Sequence, residues 1–220
     1  MECIAPLFDV DGTLVDTNYL HAVTWWQAFA KSGYGVEMTD IHRAIGMGSD
    51  QLLDHLLPPD RDHSNDEAIR HSHDALFSVY WPHLRPLPGA AALLRACRRR
   101  GQRVVLATSA GADELSAMRR ALDAEDAIDE ITSSADVDRS KPAPDIVEAA
   151  IAKAGVRPGE AVFIGDTVWD VRACRRAGIR CLAVLTGGIC HDELEVAGAD
   201  EIYDSAQDLL DHFVETPLGR

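Results

Sequence analysis

An α/β fold is predicted for this chain of 220 residues: a Rossmann-like parallel sheet with helices on both faces, interrupted after its first strand by an all-helical insertion. Three observations predict it. Short runs such as Arg103-Val104-Val105-Leu106-Ala107 and Ala161-Val162-Phe163-Ile164 have strand length and almost no polar face, as strands buried on both sides do. These runs alternate with helical stretches, the pattern of parallel strands joined by crossovers. Between Asp16 and about Arg85 the alternation stops and only helical patterning remains.

The first strand is expected over residues 3–8, running into Asp9-Val10-Asp11-Gly12-Thr13. A helix follows over 17–31, capped by Thr17 or Asn18, with Leu20, Val23, Trp26 and Ala30 marking its inner face. Gly33 and Gly35 end it. Thr39 opens a short helix that ends near Gly46, and Ser49 or Asp50 caps a third over 51–57, stopped by Pro58-Pro59. A polar loop over 60–66 leads into a longer helix through Tyr80. Pro86-Leu87-Pro88-Gly89 marks the return to the sheet. A helix over 90–100 ends at Gly101; a strand over 103–107, a helix over 113–122 and a short strand within 127–132 come next. Pro144 suits the first turn of a helix over 144–154. A strand over 161–164, a helix over 168–177, strands over 179–185 and 201–203 and a last helix capped by Ser205 complete the chain. The expected division is therefore an α/β core from 1–15 and 86–220, and a helical domain from 16–85. Pro6 conflicts with this scheme, because inside a central strand it removes a ladder donor; a bulge or a late start to pairing is expected.

Hydrophobic residues make up 46%, enough for one substantial core with a smaller insertion. A net charge of -15 disfavours nucleic acid and anionic membranes as partners. An anionic substrate would have to be drawn by a local site. Five cysteines without a Cys-x-x-Cys spacing point to reduced thiols and a cytoplasmic setting. No basic segment precedes Asp9 and no apolar run reaches the length of a membrane span, so neither a signal peptide nor a span is expected.

Ligands of open α/β sheets bind at the carboxyl ends of the strands, and four such ends here carry polar groups. Asp9 and Asp11, two apart in an extended chain, point the same way. At ~4 Å and an effective dielectric of ~20 they repel by about 4 kcal/mol, which calls for a cation, a shared proton or a task. Gly165-Asp166-Thr167-Val168-Trp169-Asp170 puts one carboxylate on a strand–helix turn and another one helical turn later. Alone, Asp166 reads as a helix cap. With Asp9 and Asp11 at a neighbouring strand end, three or four carboxylates converge into an all-oxygen set suited to Mg²⁺ with phosphate as co-ligand. No His or Cys is placed to join them, which disfavours zinc. Thr108 and Ser109 precede a helix, where hydroxyls and free N–H groups bind an anion or simply cap. Lys141 is one of three lysines against eighteen arginines and stands in a stiff Lys141-Pro142-Ala143-Pro144 loop, as a counter-charge for phosphate or as a surface lysine.

In this order, Asp9-Val10-Asp11-Gly12-Thr13, Thr108, Lys141-Pro142 and Gly165-Asp166-Thr167-Val168-Trp169-Asp170 resemble the motifs of the haloacid-dehalogenase-like (HAD) superfamily of phosphatases and phosphomutases, in members with a small helical cap. The resemblance implies that Asp9 is the nucleophile, forming an aspartyl-phosphate, and that Asp11 is the acid–base group. It implies that Thr108, Ser109 and Lys141 hold the phosphoryl group. Mg²⁺ would be held by Asp9, the backbone carbonyl of Asp11 and Asp166, with Asp170 ligating or orienting. Asp11 favours phosphoryl transfer over dehalogenation. The insertion's only lysine is Lys31, which disfavours the phosphonate-cleaving relatives. His21-Ala22-Val23-Thr24-Trp25 is similar to the His-x-x-x-Trp segment of β-phosphoglucomutase-like members; His21 either helps set Asp11 or is an ordinary helix histidine. The arginine after the mutases' cap glycine is missing, and Gly46-Met47-Gly48-Ser49-Asp50 stands there instead, as a substrate-facing loop or a plain turn. His71 and His73 do not share a helix face, so no metal site is expected between them. The expected activity is Mg²⁺-dependent hydrolysis of a small phosphate monoester of the sugar phosphate or phosphoglycolate type, with a β-phosphoglucomutase-like mutase as the alternative. The partner is a small phosphorylated metabolite, met by a monomer or homodimer.

Overall fold

The computed structural model describes residues 4–220; Cys3, which opens the expected first strand, lies outside the described residues. Strands β1 (Ala5–Phe8), β2 (Val105–Ala107), β3 (Glu130–Thr132), β4 (Ala161–Gly165), β5 (Arg180–Val184) and β6 (Glu201–Tyr203) form a parallel sheet in the order β3-β2-β1-β4-β5-β6. The order reverses between β1 and β4, which is where such sheets open a crevice for ligands.

The helices are α1 (Asn18–Lys31), α2 (Met38–Ala44), α3 (Ser49–Leu56), α4 (Asp66–Ser78), α5 (Ala90–Arg99), α6 (Ala112–Leu122), α7 (Asp145–Ala154), α8 (Val168–Ala177), α9 (His191–Ala197) and α10 (Ala206–Asp211). Alternation along β1 feeds both sides of the sheet. Phe8 packs in a cluster with Leu93 and Leu94 of α5, Met118 of α6 and Leu209 of α10. Ala5 and Leu7 belong to the opposite cluster, with Ile146 and Val147 of α7, Val171 of α8 and Leu194 of α9. Helix α9 is short and was not expected from the sequence. Strand β2 begins two residues later than expected, and the Val104 N–H is taken by the Asp129 carboxylate.

Pro6 sits inside β1 without a bulge, paired to Val162 of β4. The Asp9 N–H donates to Ile164 O of β4. Backbone groups of successive strand residues point to opposite neighbours, so the Pro6 nitrogen faces β2. Pairing with β2 starts only at Leu7, which leaves no lost ladder bond to compensate.

Helices α1–α4 enclose a third apolar cluster, including Trp25, Phe29, Ile41, Leu52, Leu53 and Ile69. The two connections to the sheet run side by side: Asp16 N–H donates to Arg85 O and Leu87 N–H to Leu14 O. The inner face of α1 differs from the expected one. Trp26 is 44% exposed, whereas His21, Ala22, Trp25, Ala28 and Phe29 are buried. The stripe is set by Trp25 and Phe29, i and i+4, whose rings stack with centroids 5.5 Å apart. The helix caps also depart from expectation. Thr17 occupies the N-cap of α1 but makes no capping bond, and Glu37 and Gly48 precede α2 and α3. Ser205 caps α10 as expected, accepting from Asp208 N–H. Among the described residues no helix is long and apolar enough to cross a membrane.

Candidate active site

The ends of β1, β2 and β4 bring Asp9, Thr108 and Asp166 together at the sheet's reversal point. All three side chains are buried. Gly12 lets the chain leave β1 without obstruction: its φ is +67°, and a Cβ there would lie 2.4 Å from Asp166 Oδ2. Lys141, from the loop before α7, is 1% exposed and is no surface lysine. Its Nζ lies 2.8 Å from Asp9 Oδ1 and 2.7 Å from Asp170 Oδ1. A buried ammonium needs such partners to remain charged, and the two carboxylates outweigh its desolvation and hold its pKa above the ordinary lysine value.

Asp166 is not a helix cap. Thr167 caps α8 in a capping box with Asp170, whose Oδ2 accepts from the Thr167 N–H and hydroxyl. Both oxygens of Asp170 are thereby engaged, by Thr167 and by Lys141. Asp166 accepts from the Thr13 hydroxyl at 2.7 Å and from Asn18 Nδ2 at 2.8 Å. Burial, then the charge of Asp170, push the Asp166 carboxyl up to about 7. Burial likewise raises Asp9 well above the carboxylate range, against the pull of Lys141.

Carboxylate oxygens of Asp9, Asp166 and Asp170 lie within 4.8 Å of one another, and one lysine cannot neutralise three acids. Asn18 Oδ1, beside Asp166, is buried without a hydrogen-bond partner. An all-oxygen set with a spare carbonyl oxygen fits a hard divalent cation such as Mg²⁺. The Asp11 side chain stands outside that group. Its Oδ1 accepts from the Thr17 hydroxyl at 2.6 Å and from His21 Nε2 at 3.1 Å, and its Oδ2 lies 3.5 Å from the Thr108 hydroxyl.

His21 approaches Asp11 and is not grouped with Asp9, Asp166 and Asp170. Its Nε2 also lies 3.2 Å from Glu114 Oε1. Burial disfavours the imidazolium, but the bonds to Asp11 and Glu114 prevail and raise His21 to about 10. For Asp11, burial acts upward and the bonds from His21 and Thr17 outweigh it, leaving the carboxyl below its ordinary value. On the far side of the ring, His21 Nδ1 donates to His73 Nε2 at 3.1 Å, and His73 Nδ1 donates to Asp74 at 3.0 Å. Burial, unrelieved by the bond to Asp74, pushes His73 down to about 4, so it is neutral. His71 points to solvent instead.

Thr108 accepts from Ala110 N–H and reaches Asp11 Oδ2 at 3.5 Å, while the cap of α6 is Gly111. Ser109 opens onto a cavity of about 360 Å³ floored by Asp9, Asp11 and Lys141. Gly46, Gly48 and Ser49 line its other side, so their loop faces the site. Gly46 has φ +99°, and a Cβ there would lie 2.6 Å from Thr167 Oγ1. The helical block is fastened to the core around this seam. Ser140 donates to Asp50 at 2.5 Å, Trp169 Nε1 to Arg43 O at 2.8 Å, and Arg43 forks onto Glu193.

The sequence does not single out Glu114, and it presents Asn18 and His73 only as a cap candidate and as a helix histidine without a metal partner. Glu114 looks like any acidic residue in a helix's first turn, and nothing local to Asn18 or His73 announces partners 148 or 52 residues away.

The model of the haloacid dehalogenase-like hydrolase family matches residues 5–178. The chain is 30% identical to Protein CbbY of Cereibacter sphaeroides, over 93% of each chain. It is 26% identical to the phosphoglycolate phosphatase of Escherichia coli (strain K12), covering 92% of this chain and 89% of that one. The crystal structure of a hydrolase from Pseudomonas syringae superposes with a TM-score of 0.92 at 33% identity, over 96% of this chain and 98% of that one.

Proposed function

The chain belongs to the haloacid dehalogenase-like hydrolase family, and from that premise we propose that it is a Mg²⁺-dependent phosphatase, hydrolysing a small phosphate monoester through an aspartyl-phosphate on Asp9. Residues 16–85 serve as a cap domain over the core of 1–15 and 86–220. The observation that carries this reading is the Asp9 carboxylate on the cavity floor, gripped by a buried lysine and backed by two further acids. Relatives with a phosphatase name support it.

Asp9, Asp166 and the carbonyl of Asp11 would hold Mg²⁺, with Asp170 placing Lys141 behind them. When bound, the ion neutralises charge on the phosphoryl oxygens and keeps Asp9 ionised. An Asp9 oxygen attacks phosphorus as the ester P–O bond breaks, and Asp11 gives its proton to the departing alkoxide. Water then attacks phosphorus, Asp11 takes its proton, and inorganic phosphate leaves with Asp9 restored. Lys141, the Thr108 hydroxyl and the Ser109 segment hold the phosphoryl oxygens. Fixed charges of this kind supply most of the barrier lowering in phosphoryl transfer. Asp11 below its ordinary value is poised for the base step; the phosphoryl charge beside it raises its proton affinity for the acid step. Buried free cysteines, Cys97, Cys174 and Cys181, suit a cytoplasmic setting.

Release of p-nitrophenol from p-nitrophenyl phosphate is expected to require Mg²⁺ and to vanish in Asp9→Asn. Undiminished turnover by that variant would reject the assignment. The contact of His21 with Asp11 also suits the mutase reading; conversion of a sugar 1-phosphate to its 6-phosphate without phosphate release would favour it.

A further inference from the structure

We propose that the cavity selects phosphate esters whose leaving group is hydroxyl-rich and carries no second anionic group, so that neutral and amino-sugar phosphates are substrates while phosphorylated acids and bisphosphates are rejected. This deepens, and rests on, the phosphatase reading of the same site.

The argument is the distribution of charge around the cavity. Positive charge is gathered at the floor, where Lys141 is already shared between Asp9 and Asp170. Lys141 is the one lysine or arginine among the described residues that line the cavity. The remainder of the wall carries four more acids, Asp50, Asp74, Glu114 and Asp138. Glu114 is offset by His21. Of the other three, Asp50 accepts from the Ser140 hydroxyl and Asp74 from His73, and Asp138 is exposed on the rim beside Arg139, whose guanidinium is bonded to Asp145. These acids come from α3, α4 and the loop before Lys141, so they surround the mouth and do not crowd one edge. A phosphoryl group on the floor directs the rest of the ester toward them. A second carboxylate or phosphate there meets repulsion with no counter-charge, a hydroxyl meets good acceptors, and an ammonium is attracted. Ser49 and Ser134 on the same wall add neutral hydrogen-bonding groups. A mutase would have to seat a sugar bisphosphate in this space, so the same wall counts against that alternative.

The test is a matched panel assayed with the full chain and Mg²⁺ at low ionic strength: glucose 6-phosphate, glucosamine 6-phosphate, 6-phosphogluconate and fructose 1,6-bisphosphate, with p-nitrophenyl phosphate as the activity standard. Each sugar acid or bisphosphate is expected to show kcat/KM at least about tenfold below glucose 6-phosphate, with glucosamine 6-phosphate equal to it or better. The ratio between glucose 6-phosphate and 6-phosphogluconate is expected to shrink in Asp50→Asn/Asp74→Asn, and to shrink with added salt. Turnover of 6-phosphogluconate or the bisphosphate at or above the neutral sugar overturns the proposal while leaving the phosphatase reading intact. So does a ratio that neither the variant nor salt alters, because selection would then be steric. Phosphate release from no substrate, the standard included, overturns the phosphatase reading and this proposal with it.

Discussion

Replacing Lys141 by Met removes the positive charge that the folded chain places between Asp9 and Asp170, while nearly preserving volume. At about 2.8 Å and an effective dielectric of ~20, each carboxylate contact is worth about 6 kcal/mol of attraction. Much of that sum is offset by the cost of burying the ammonium, and breaking a buried pair by removing one partner costs a net of about 3–5 kcal/mol. At ~2.1 cal/mol/K per residue, unfolding 220 residues carries an entropy of about 0.46 kcal/mol/K, so the melting temperature should fall by roughly 6–11 °C. Mg²⁺ should recover part of the loss, since a divalent ion beside Asp9 and Asp166 supplies the missing charge. Activity should suffer separately: removing one fixed group that stabilises the phosphoryl oxygens lowers kcat by about 10²–10³-fold. Differential scanning calorimetry with and without Mg²⁺, alongside phosphate release, reads both. A variant that melts within about 1 °C of the parent and keeps its kcat would refute the claim that Lys141 neutralises this cluster.

Two other expectations follow from the same geometry. The Asp166 carboxyl is raised to about 7 in the folded chain, so it binds its proton more tightly there than when unfolded. Its contribution is therefore complete below the unfolded value and lost as pH climbs through about 7. Metal-free protein should lose melting temperature between about pH 4 and pH 7, and the rise produced by Mg²⁺ should grow across that window; a Mg²⁺ effect that is flat or declines would contradict it. Gly46→Ala forces a side chain into a left-handed conformation against Thr167, at a cost of about 1–2 kcal/mol. Because that seam holds the helical block over the cavity, KM should rise together with a lower melting temperature, and unchanged values of both would show that the close approach is immaterial.

The sheet and the residues on its strand ends were readable because their signals are local. Apolar runs buried on both faces set β1, β4 and β5, and Asp9, Thr108 and Asp166 each follow directly on a strand, whereas Lys141 comes from the loop before α7 and Asp170 from the first turn of α8. What escaped was whatever depends on a partner distant in sequence. The inner face of α1 turned on which aromatic side chains pack across the helical block, and Trp25 with Phe29 prevailed over the Leu20 stripe. Thr17 had the composition of a cap, yet its hydroxyl is directed to Asp11. Pro6 became innocuous only once the register with β2 was known. His21 was ambiguous in the sequence, and Glu114 resolves its surroundings from a helix 93 residues later by holding the ring's charge in place.

The most direct measurement is to mix the Asp11→Asn variant with Mg²⁺ and p-nitrophenyl phosphate, whose leaving group departs without a proton from Asp11, quench in acid, and map any phosphoryl group on the chain by mass spectrometry. A phosphoryl group on the peptide carrying Asp9, lost when Asp9→Asn is added to the variant, is the predicted result. A phosphoryl group on a different side chain, or undiminished turnover after Asp9 is replaced, would contradict the account.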